Sequence, residues 1–258
     1  MAEHRRNGEA SKGVEVVRAS GQHEIVLVCE HASAFIPDEF DGLGVSHEVR
    51  LSHLGWDPGA GETAAALSTA LDAVLVRGTV SRLIYDCNRP PESPDAIRSA
   101  GGDCAIPGNT ELSPIQRAER IKGYYRPFAQ TLAATLSGHH GEPVLVTIHS
   151  FTPVFDGQQR DVEIGIVHDE DARLAEAVLA VASGYDIRRN EPYGPEHGVT
   201  HTLREHGLAN GLLNVMIEIR NDLVATPEQC RGMADQLKGW LETALSTLQT
   251  APPREVRA

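Results

Sequence analysis

The sequence predicts an α/β protein, a single domain built on a mixed, mostly parallel β-sheet with helices on both faces. Short runs of Val, Ile and Leu recur along the chain, and stretches with alanine and leucine at helical spacing stand between several of them. Strands that alternate with helices of this length are typical of sheets covered on both faces. No repeat, heptad or low-complexity tract divides the 258 residues, so one domain is the simplest organisation.

Each predicted element depends on a local pattern. Residues 24–29 (EIVLVC) form a β-branched apolar run between polar residues, which predicts a buried strand. Residues 62–73 and 169–182 place apolar side chains at helical spacing. Ser113 and Pro114 predict a helix start, because serine accepts hydrogen bonds from free backbone amides and proline suits the first turn. The predicted strands are residues 24–29, 74–76, 83–85, 144–148, 163–167 and 214–219, and the predicted helices are residues 62–73, a stretch within 112–136, 169–182 and 227–248.

The ends of the chain differ from the region between them. Residues 1–22 form a polar leader without the apolar core of a secretory signal, so we expect a cytoplasmic protein. The catalytic domain is expected over residues 23–250, followed by a tail at 251–258. The four cysteines are widely scattered, with no CxxC pair, and are expected to be reduced thiols.

Composition and charge exclude two classes of function. The formal net charge of −13 repels phosphate backbones, so we expect no nucleic-acid partner. No stretch approaches the roughly 18 apolar residues of a membrane span, so we expect no membrane partner. A small anionic substrate remains compatible with this charge, since a few arginines can make a pocket locally positive. The sequence also allows a homo-oligomer, but no feature sets a subunit number.

Polar side chains follow four of the predicted strands, where ligands bind in open α/β sheets. The four segments are residues 29–33 (CEHAS), 86–90 (DCNRP), 149–151 (HSF) and 218–222 (EIRND). His31 and His149 offer two imidazoles, and a catalytic zinc ion takes imidazole and carboxylate ligands while keeping one position for water. The carboxylate is either Glu30, next to His31, or Asp57, in the turn-forming segment 55–60 (GWDPGA). The spacing alone does not choose between them.

A zinc hydrolase also needs a base and a means of holding its substrate. Glu218 lies within an apolar strand and suits a general base, although a buried pair with Arg220 is the alternative, because alternation places both residues on one face. Asn88 and Arg89 offer an amide and a planar guanidinium that can grip a carboxylate, unless Arg89 closes an internal salt bridge. Arg82 precedes this pair.

Six segments, in order along the chain, resemble the N-formylglutamate amidohydrolase family. They are residues 29–33 with Ile36-Pro37, 55–60, 81–90 (SRLIYDCNRP), 148–151 (IHSF), 198–207 and 217–220 (IEIR). The resemblance implies a fold similar to that of zinc carboxypeptidases and aspartoacylase. It also implies hydrolysis of N-formyl-L-glutamate to formate and glutamate, an activity of histidine degradation.

The same resemblance implies a role for individual residues. His149 is similar to the zinc-binding histidine of the later strand, and Glu218 to the catalytic glutamate. The Asn88-Arg89 pair resembles the dipeptide that holds the substrate carboxylate. Arg204 falls where a second substrate-binding arginine is expected, and Arg82 is expected to polarise the scissile carbonyl.

The sequence departs from the family pattern at two positions, which leaves alternatives for the acidic zinc ligand and for the substrate. Ala34 stands three residues after His31, where carboxypeptidase-like sites have a glutamate ligand, so we expect Asp57 as the acidic zinc ligand, with Glu30 as the alternative. Glu30 also replaces the proline that usually precedes the first histidine, so another N-acyl amino acid or a short peptide is an alternative substrate. A non-catalytic protein that binds an acidic metabolite is a third hypothesis. A serine hydrolase is disfavoured, because no serine lies in a GxSxG elbow.

Overall fold

A seven-stranded sheet forms the centre of the computed structural model, which describes residues 13–250. Its strands are β1 (Val14–Val17), β2 (Ile25–Cys29), β3 (Val74–Gly78), β4 (Val144–Phe151), β5 (Ile164–Val167), β6 (Ile187–Arg189) and β7 (Asn214–Arg220). Their spatial order is β1-β3-β2-β4-β7-β5-β6. Strands β3, β2, β4 and β7 are parallel, whereas β1 and the β5-β6 pair at the two edges run antiparallel to them. The predicted mixed, mostly parallel sheet is confirmed.

Helices lie on both faces of this sheet, as predicted. The α-helices are α1 (His47–Leu51), α2 (Ala60–Leu71), α3 (Pro114–Arg120), α4 (Arg126–Ser137), α5 (Arg173–Val181) and α6 (Pro227–Thr250). Two π-helical turns lie at Ile121–Tyr125 and Leu203–Gly207. Shorter 3-10 turns lie at Asp38–Gly44, Pro94–Ile97, Pro107–Asn109, Pro195–His197, Leu208–Asn210 and Asn221–Val224. Two short hairpins outside the sheet pair Ala100–Gly101 with Cys104–Ala105, and Val154–Phe155 with Gln158–Gln159.

The two faces of the sheet build two separate cores. Side chains alternate along a strand, so Leu27 and Ile217 face α2, α5 and α6, while Val28 and Met216 face α4. Central strands β2 and β4 are buried along their whole length. This double cover explains why they appear in the sequence as continuous apolar runs. It also leaves the carboxyl ends of the parallel strands as the open edge where polar side chains collect.

Several predicted boundaries match the structure closely, and the start of α3 is a clear case. The Ser113 Oγ accepts from the Gln116 amide at 3.3 Å, and the Gln116 Oε1 accepts from the Ser113 amide at 2.9 Å. These two bonds satisfy backbone amides that no helical carbonyl reaches. The structure divides the predicted stretch within 112–136 into α3, the π-helical turn Ile121–Tyr125 and α4.

The predicted strand at 83–85 is wrong, because these residues form a buried turn. The Ile84 amide donates to the Ser81 carbonyl at 2.9 Å, and the Asp86 amide to the Ala96 carbonyl at 2.8 Å, so the hydrogen bonds are those of turns and loops. Leu83, Ile84 and Tyr85 are nevertheless buried in the core. A short apolar run indicates that its residues are buried, but it does not show that they pair with another strand.

The leader prediction is corrected within the described residues, since Val14–Val17 forms edge strand β1. The rest of that prediction, residues 1–12, and the predicted tail at 251–258 lie outside the described residues. Edge strand β6 was not predicted, because its sequence (IRR) is short and polar. All four cysteines are free thiols. Within residues 13–250, no helix has the length and apolar character that a membrane span requires.

Candidate active site

A cavity of about 430 Å³ opens at the carboxyl edge of the sheet. Its lining includes His31, just after β2, and His149 and Glu218, near the ends of β4 and β7. Asp57 and Asp86 add two further carboxylates. The volume lies in the usual range for small-molecule sites, roughly 300–1,000 Å³. The strand-end residues predicted from the sequence therefore meet in one cavity.

A carboxylate between two imidazoles forms the floor of this cavity. The Asp57 Oδ2 lies 2.9 Å from the His149 Nδ1 and 3.2 Å from the His31 Nδ1. One ligand atom from each of the three residues lies within 4.8 Å of the other two, and all three side chains are buried. This group could hold a metal ion, as predicted for His31, Asp57 and His149.

The backbone around Asp57 is fixed by its neighbours in the fold. The Asp57 amide donates to the His31 carbonyl at 3.0 Å, and α2 begins three residues later at Ala60. Gly59 adopts a φ of 79°, and a Cβ there would lie 2.2 Å from the Val224 carbonyl oxygen. Only glycine fits this turn, which explains the segment GWDPGA.

Two more carboxylates hold the far sides of the imidazole rings. The His31 Nε2 lies 2.7 Å from the Asp86 Oδ1, in a buried hydrogen bond. The His149 Nε2 lies 3.0 Å from the Glu30 Oε2, in ion-pair contact but without hydrogen-bond alignment. Both contacts leave Nδ1 facing Asp57. Glu30 therefore lies behind His149, which favours Asp57 over Glu30 as the acidic ligand.

The charged side chains of this network shift one another's pKa values. Burial alone raises the pKa of Asp57, but His31, His149 and Arg82 outweigh it and hold that pKa well below its usual range. Burial alone lowers the pKa of His149, but Glu30 and Asp57 outweigh it and raise that pKa well above its ordinary value. The pKa of His31 is also raised, since Asp86 and Asp57 outweigh burial and Arg82. Both shifts favour the protonated imidazoles in the metal-free protein.

This protonation predicts how metal affinity depends on pH. A metal ion must displace the protons of His31 and His149, so affinity rises with pH, roughly tenfold per unit for each proton displaced. Two ordinary histidines are already neutral above pH 7 and would give a flat dependence there. We expect zinc affinity, measured by chelator competition at pH 6, 7 and 8, to rise over the whole series. A constant affinity between pH 7 and 8 would contradict the raised pKa values.

Glu218 lies beside this group on the next strand. It pairs with His149 across β7 and β4, and it is only 5% exposed. Its Oε2 has no hydrogen-bond partner among the described residues. Burial raises its pKa to about 7, which suits a group that exchanges protons near neutral pH. The alternative pairing with Arg220 is wrong, because Arg220 binds Asp222 at 2.8 Å and Glu163 at 3.3 Å.

The space for Glu218 depends on a glycine in the adjacent strand. Gly165 pairs with Glu218, and a Cβ at Gly165 would lie 2.0 Å from the Glu191 carbonyl oxygen and 3.2 Å from the Glu218 Cβ.

We expect Gly165→Ala to lower the free energy of unfolding by about 1–3 kcal/mol, measured by urea denaturation. The matched control is Gly232→Ala in α6, where the added Cβ meets open space. The control should gain about 0.5–1 kcal/mol. Equal stability of Gly165→Ala and the wild type would contradict this packing.

The three predicted arginines and Asn88 have different environments. Arg82 lines the cavity and donates to Asp57 at 3.2 Å and to Asp86 at 2.5 Å. Arg89 also lines the cavity, and its Nη1 donates to the Asn88 and Gly198 carbonyls. Arg89 closes no ion pair with a described carboxylate within 4.0 Å, so it does not form the predicted alternative salt bridge.

The Asn88 amide group is used within the protein. Its Nδ2 donates to the Val199 carbonyl at 2.5 Å, and its Oδ1 accepts from the Thr202 amide at 3.0 Å. Asn88 thus ties the segment 199–202 to the cavity wall. Arg204, two residues further on, is exposed and does not line the cavity. The structure does not bring Arg204 together with the other predicted site residues.

Sequence reasoning missed two residues of this site. Asp86 lies in the polar segment after residue 85, but no motif gave it a role as the partner of His31. Arg160 lines the cavity from the segment after β4, where polar residues show no periodicity. The only signal for Asp86 was its position next to Asn88 and Arg89. No sequence signal pointed to Arg160.

The fold and the cavity together define the class of protein. It is an α/β protein whose sheet edge combines potential metal ligands, arginines and a buried carboxylate with one oxygen that has no partner among residues 13–250, a set of groups suited to hydrolysis of an anionic substrate. Residues 23–225 match the sequence model of the N-formylglutamate amidohydrolases. The chain belongs to the N-formylglutamate amidohydrolase family.

Two solved structures are similar to this protein. A gene product of Agrobacterium tumefaciens is 48% identical, with a TM-score of 0.89 over 92% of this chain and 96% of that chain. An N-formylglutamate amidohydrolase from Ralstonia eutropha JMP134 is 19% identical, with a TM-score of 0.67 over 93% of this chain and 100% of that chain. The second likeness supports the fold alone. No curated protein matches the chain.

Proposed function

We propose that the protein is a zinc-dependent amidohydrolase that cleaves N-formyl-L-glutamate to formate and L-glutamate. One observation carries the proposal. The buried group His31, Asp57 and His149 shares a cavity with Glu218, a buried carboxylate with an unpartnered oxygen. Membership of the N-formylglutamate amidohydrolase family supports the reaction and the substrate.

The residues present fit a zinc ion. Two imidazole nitrogens and one carboxylate oxygen form a common ligand set of catalytic zinc, which leaves a position open for water or substrate. Asp86 and Glu30 hold the outer nitrogens of the two rings, as carboxylates commonly do around zinc-binding histidines. His31, Asp57 and His149 would hold the ion. When bound, zinc supplies a Lewis acid that polarises a carbonyl and lowers the pKa of water.

Glu218 carries the proton transfers in this proposal. Its carboxylate takes a proton from the attacking water and delivers it to the nitrogen of the leaving amine. The unpartnered Oε2 is available for this transfer, and the raised pKa makes both the acceptance and the release of a proton accessible near neutral pH. The buried position beside His149 keeps bulk water away from the carboxylate.

The arginines bind and orient the substrate. Arg89 meets one substrate carboxylate, and Asn88 acts by fixing the segment 199–202 around it. Arg82 keeps Asp57 and Asp86 in place and, with a side chain that is 20% exposed, reaches the cavity to stabilise negative charge on the carbonyl oxygen. Such positioning can supply a large part of the rate enhancement. Arg204 has no part in the proposal, because it does not line the cavity.

A formate-release assay with a substrate panel tests the proposed function. We expect zinc-loaded protein to release formate from N-formyl-L-glutamate, and chelator-stripped protein to regain activity on zinc addition. Turnover of N-acetyl-L-glutamate or of glutamyl peptides in preference to the formyl compound would identify a different acyl group. One bound zinc ion per chain without hydrolysis of any panel member would instead indicate a non-catalytic binding protein.

A further inference from the structure

Arg160 is held among aromatic rings at the wall of the cavity. Its guanidinium carbon lies 4.6 Å from the ring centre of Phe155, 4.9 Å from that of Tyr193 and 5.6 Å from that of Phe151. These distances are typical of cation–π contacts. Its Nη1 donates to the Thr152 carbonyl at 3.3 Å. The side chain is therefore positioned by its surroundings before any ligand binds.

The charge of Arg160 has no acidic partner among residues 13–250. The neighbouring arginines differ, because Arg82 pairs with Asp57 and Asp86, and Arg220 pairs with Glu163 and Asp222. A half-buried guanidinium that faces a cavity and lacks a carboxylate partner is suited to binding a carboxylate of a ligand.

We propose that Arg160 binds the side-chain carboxylate of an N-acyl acidic amino acid, and so sets the preference of the site for a dicarboxylate. The inference rests on the proposed function, since it names the subsite that recognises the substrate side chain. Arg89 then takes the α-carboxylate. The substrate is held by one arginine at each carboxylate, which leaves the amide on its Cα to face the potential metal ligands.

The positions of the two arginines support this division. Arg89 belongs to the segment after β3, whereas the Arg160 backbone carbonyl accepts a bond from Arg220 at the end of β7. Strands β2 and β4, which bring His31 and His149 to the cavity, lie between β3 and β7. The two cationic groups thus come from different sides of the potential metal ligands.

The surroundings of each arginine decide which carboxylate it takes. Arg160 is flanked by the rings of Phe151, Phe155 and Tyr193, which offer apolar walls to the methylene groups of an amino-acid side chain. Arg89 is buried and donates to the backbone carbonyls of Asn88 and Gly198, and within residues 13–250 its guanidinium makes no cation–π contact. A chain of methylenes that ends in a carboxylate fits the Arg160 side, where apolar and cationic groups are combined.

Binding measured by calorimetry tests the inference without requiring turnover. The zinc-loaded Glu218→Gln protein is titrated with N-formyl-L-glutamate, with N-formyl-L-glutamine, which lacks the side-chain carboxylate, and with N-formyl-L-isoglutamine, which lacks the α-carboxylate. We expect N-formyl-L-glutamate to bind roughly 10- to 100-fold more tightly than N-formyl-L-glutamine, the range for a charge-assisted contact. Adding Arg160→Met should remove this preference and leave the affinity for N-formyl-L-glutamine unchanged.

Two further variants make the result specific. Arg160→Lys should keep part of the preference, since it keeps the charge and loses the planar fork. Arg126→Met, an exposed arginine at the start of α4, should leave all three affinities unchanged. The isoglutamine compound should lose affinity on Arg160→Met, because it keeps the carboxylate that Arg160 binds.

The outcomes that overturn the inference are distinct from failure of the proposed function. Equal weakening of the glutamate and glutamine compounds by Arg160→Met, an unchanged preference, or no binding of any of the three compounds overturns the role of Arg160. Binding with the expected Arg160 dependence, combined with no formate release by the wild-type protein, overturns the proposed function and supports Arg160 as a ligand-binding residue.

Discussion

Replacement of Glu218 by glutamine is expected to lower kcat for N-formyl-L-glutamate by about 10²- to 10⁴-fold, the range for loss of a general acid–base group. Glutamine has nearly the same shape but cannot accept and return a proton. Glu218 is not part of the potential metal-ligand group, so zinc content should stay at the wild-type level. The measurements are formate release under saturating substrate and elemental analysis of the same sample.

The control for this prediction is Glu142→Gln, an exposed glutamate in the turn before β4. It should keep wild-type kcat and zinc content. Near wild-type turnover of Glu218→Gln would remove Glu218 from the proton transfers. Loss of zinc from Glu218→Gln would instead show that the carboxylate belongs to the metal site.

Replacement of Asp57 by asparagine is expected to have the largest effect on metal binding. The Asp57 carboxylate contacts Nδ1 of both His31 and His149 and an Nη of Arg82, so the substitution removes the only carboxylate of the ligand group. Outer carboxylates around a metal are worth about 10- to 100-fold in affinity, so loss of a direct ligand should exceed 100-fold. Hydrolysis should be lost with the metal. Zinc affinity is measured by chelator competition, and circular dichroism checks that the variant is folded.

Glu30→Gln separates the two candidates for the acidic ligand. Glu30 contacts the outer nitrogen of His149, so its replacement should weaken zinc binding by about 10- to 100-fold and leave a stoichiometric site at high zinc. The opposite pattern, in which Glu30→Gln loses the metal and Asp57→Asn keeps it, would make Glu30 the ligand.

Much of the site could be predicted because parallel strands end at one edge of a sheet. The rule that ligands bind beyond those ends selected His31, His149 and Glu218, and the structure places all three in one cavity. The choice between Asp57 and Glu30 could not be made from spacing. Glu30 is adjacent to His31 in the sequence, but its side chain contacts His149 and Thr202.

Other features depend on contacts that the sequence does not display. The apolar run 83–85 is a turn, since burial in a core and pairing in a sheet select the same residue types. The family resemblance implied a role for Arg204, yet the π-helical turn Leu203–Gly207 leaves it exposed. Arg160 follows the short hairpin that pairs Val154–Phe155 with Gln158–Gln159, and its cation–π contacts with Phe151, Phe155 and Tyr193 are not visible in the sequence.

We propose that His31, Asp57 and His149 hold one zinc ion beside Glu218. A crystal structure of the zinc-loaded protein, with anomalous diffraction recorded on both sides of the zinc absorption edge, tests this most directly. We expect one anomalous peak per chain within bonding distance of Nδ1 of both histidines and of an Asp57 carboxylate oxygen. A peak bonded through Glu30 or located elsewhere, or no peak at saturating zinc, would contradict it.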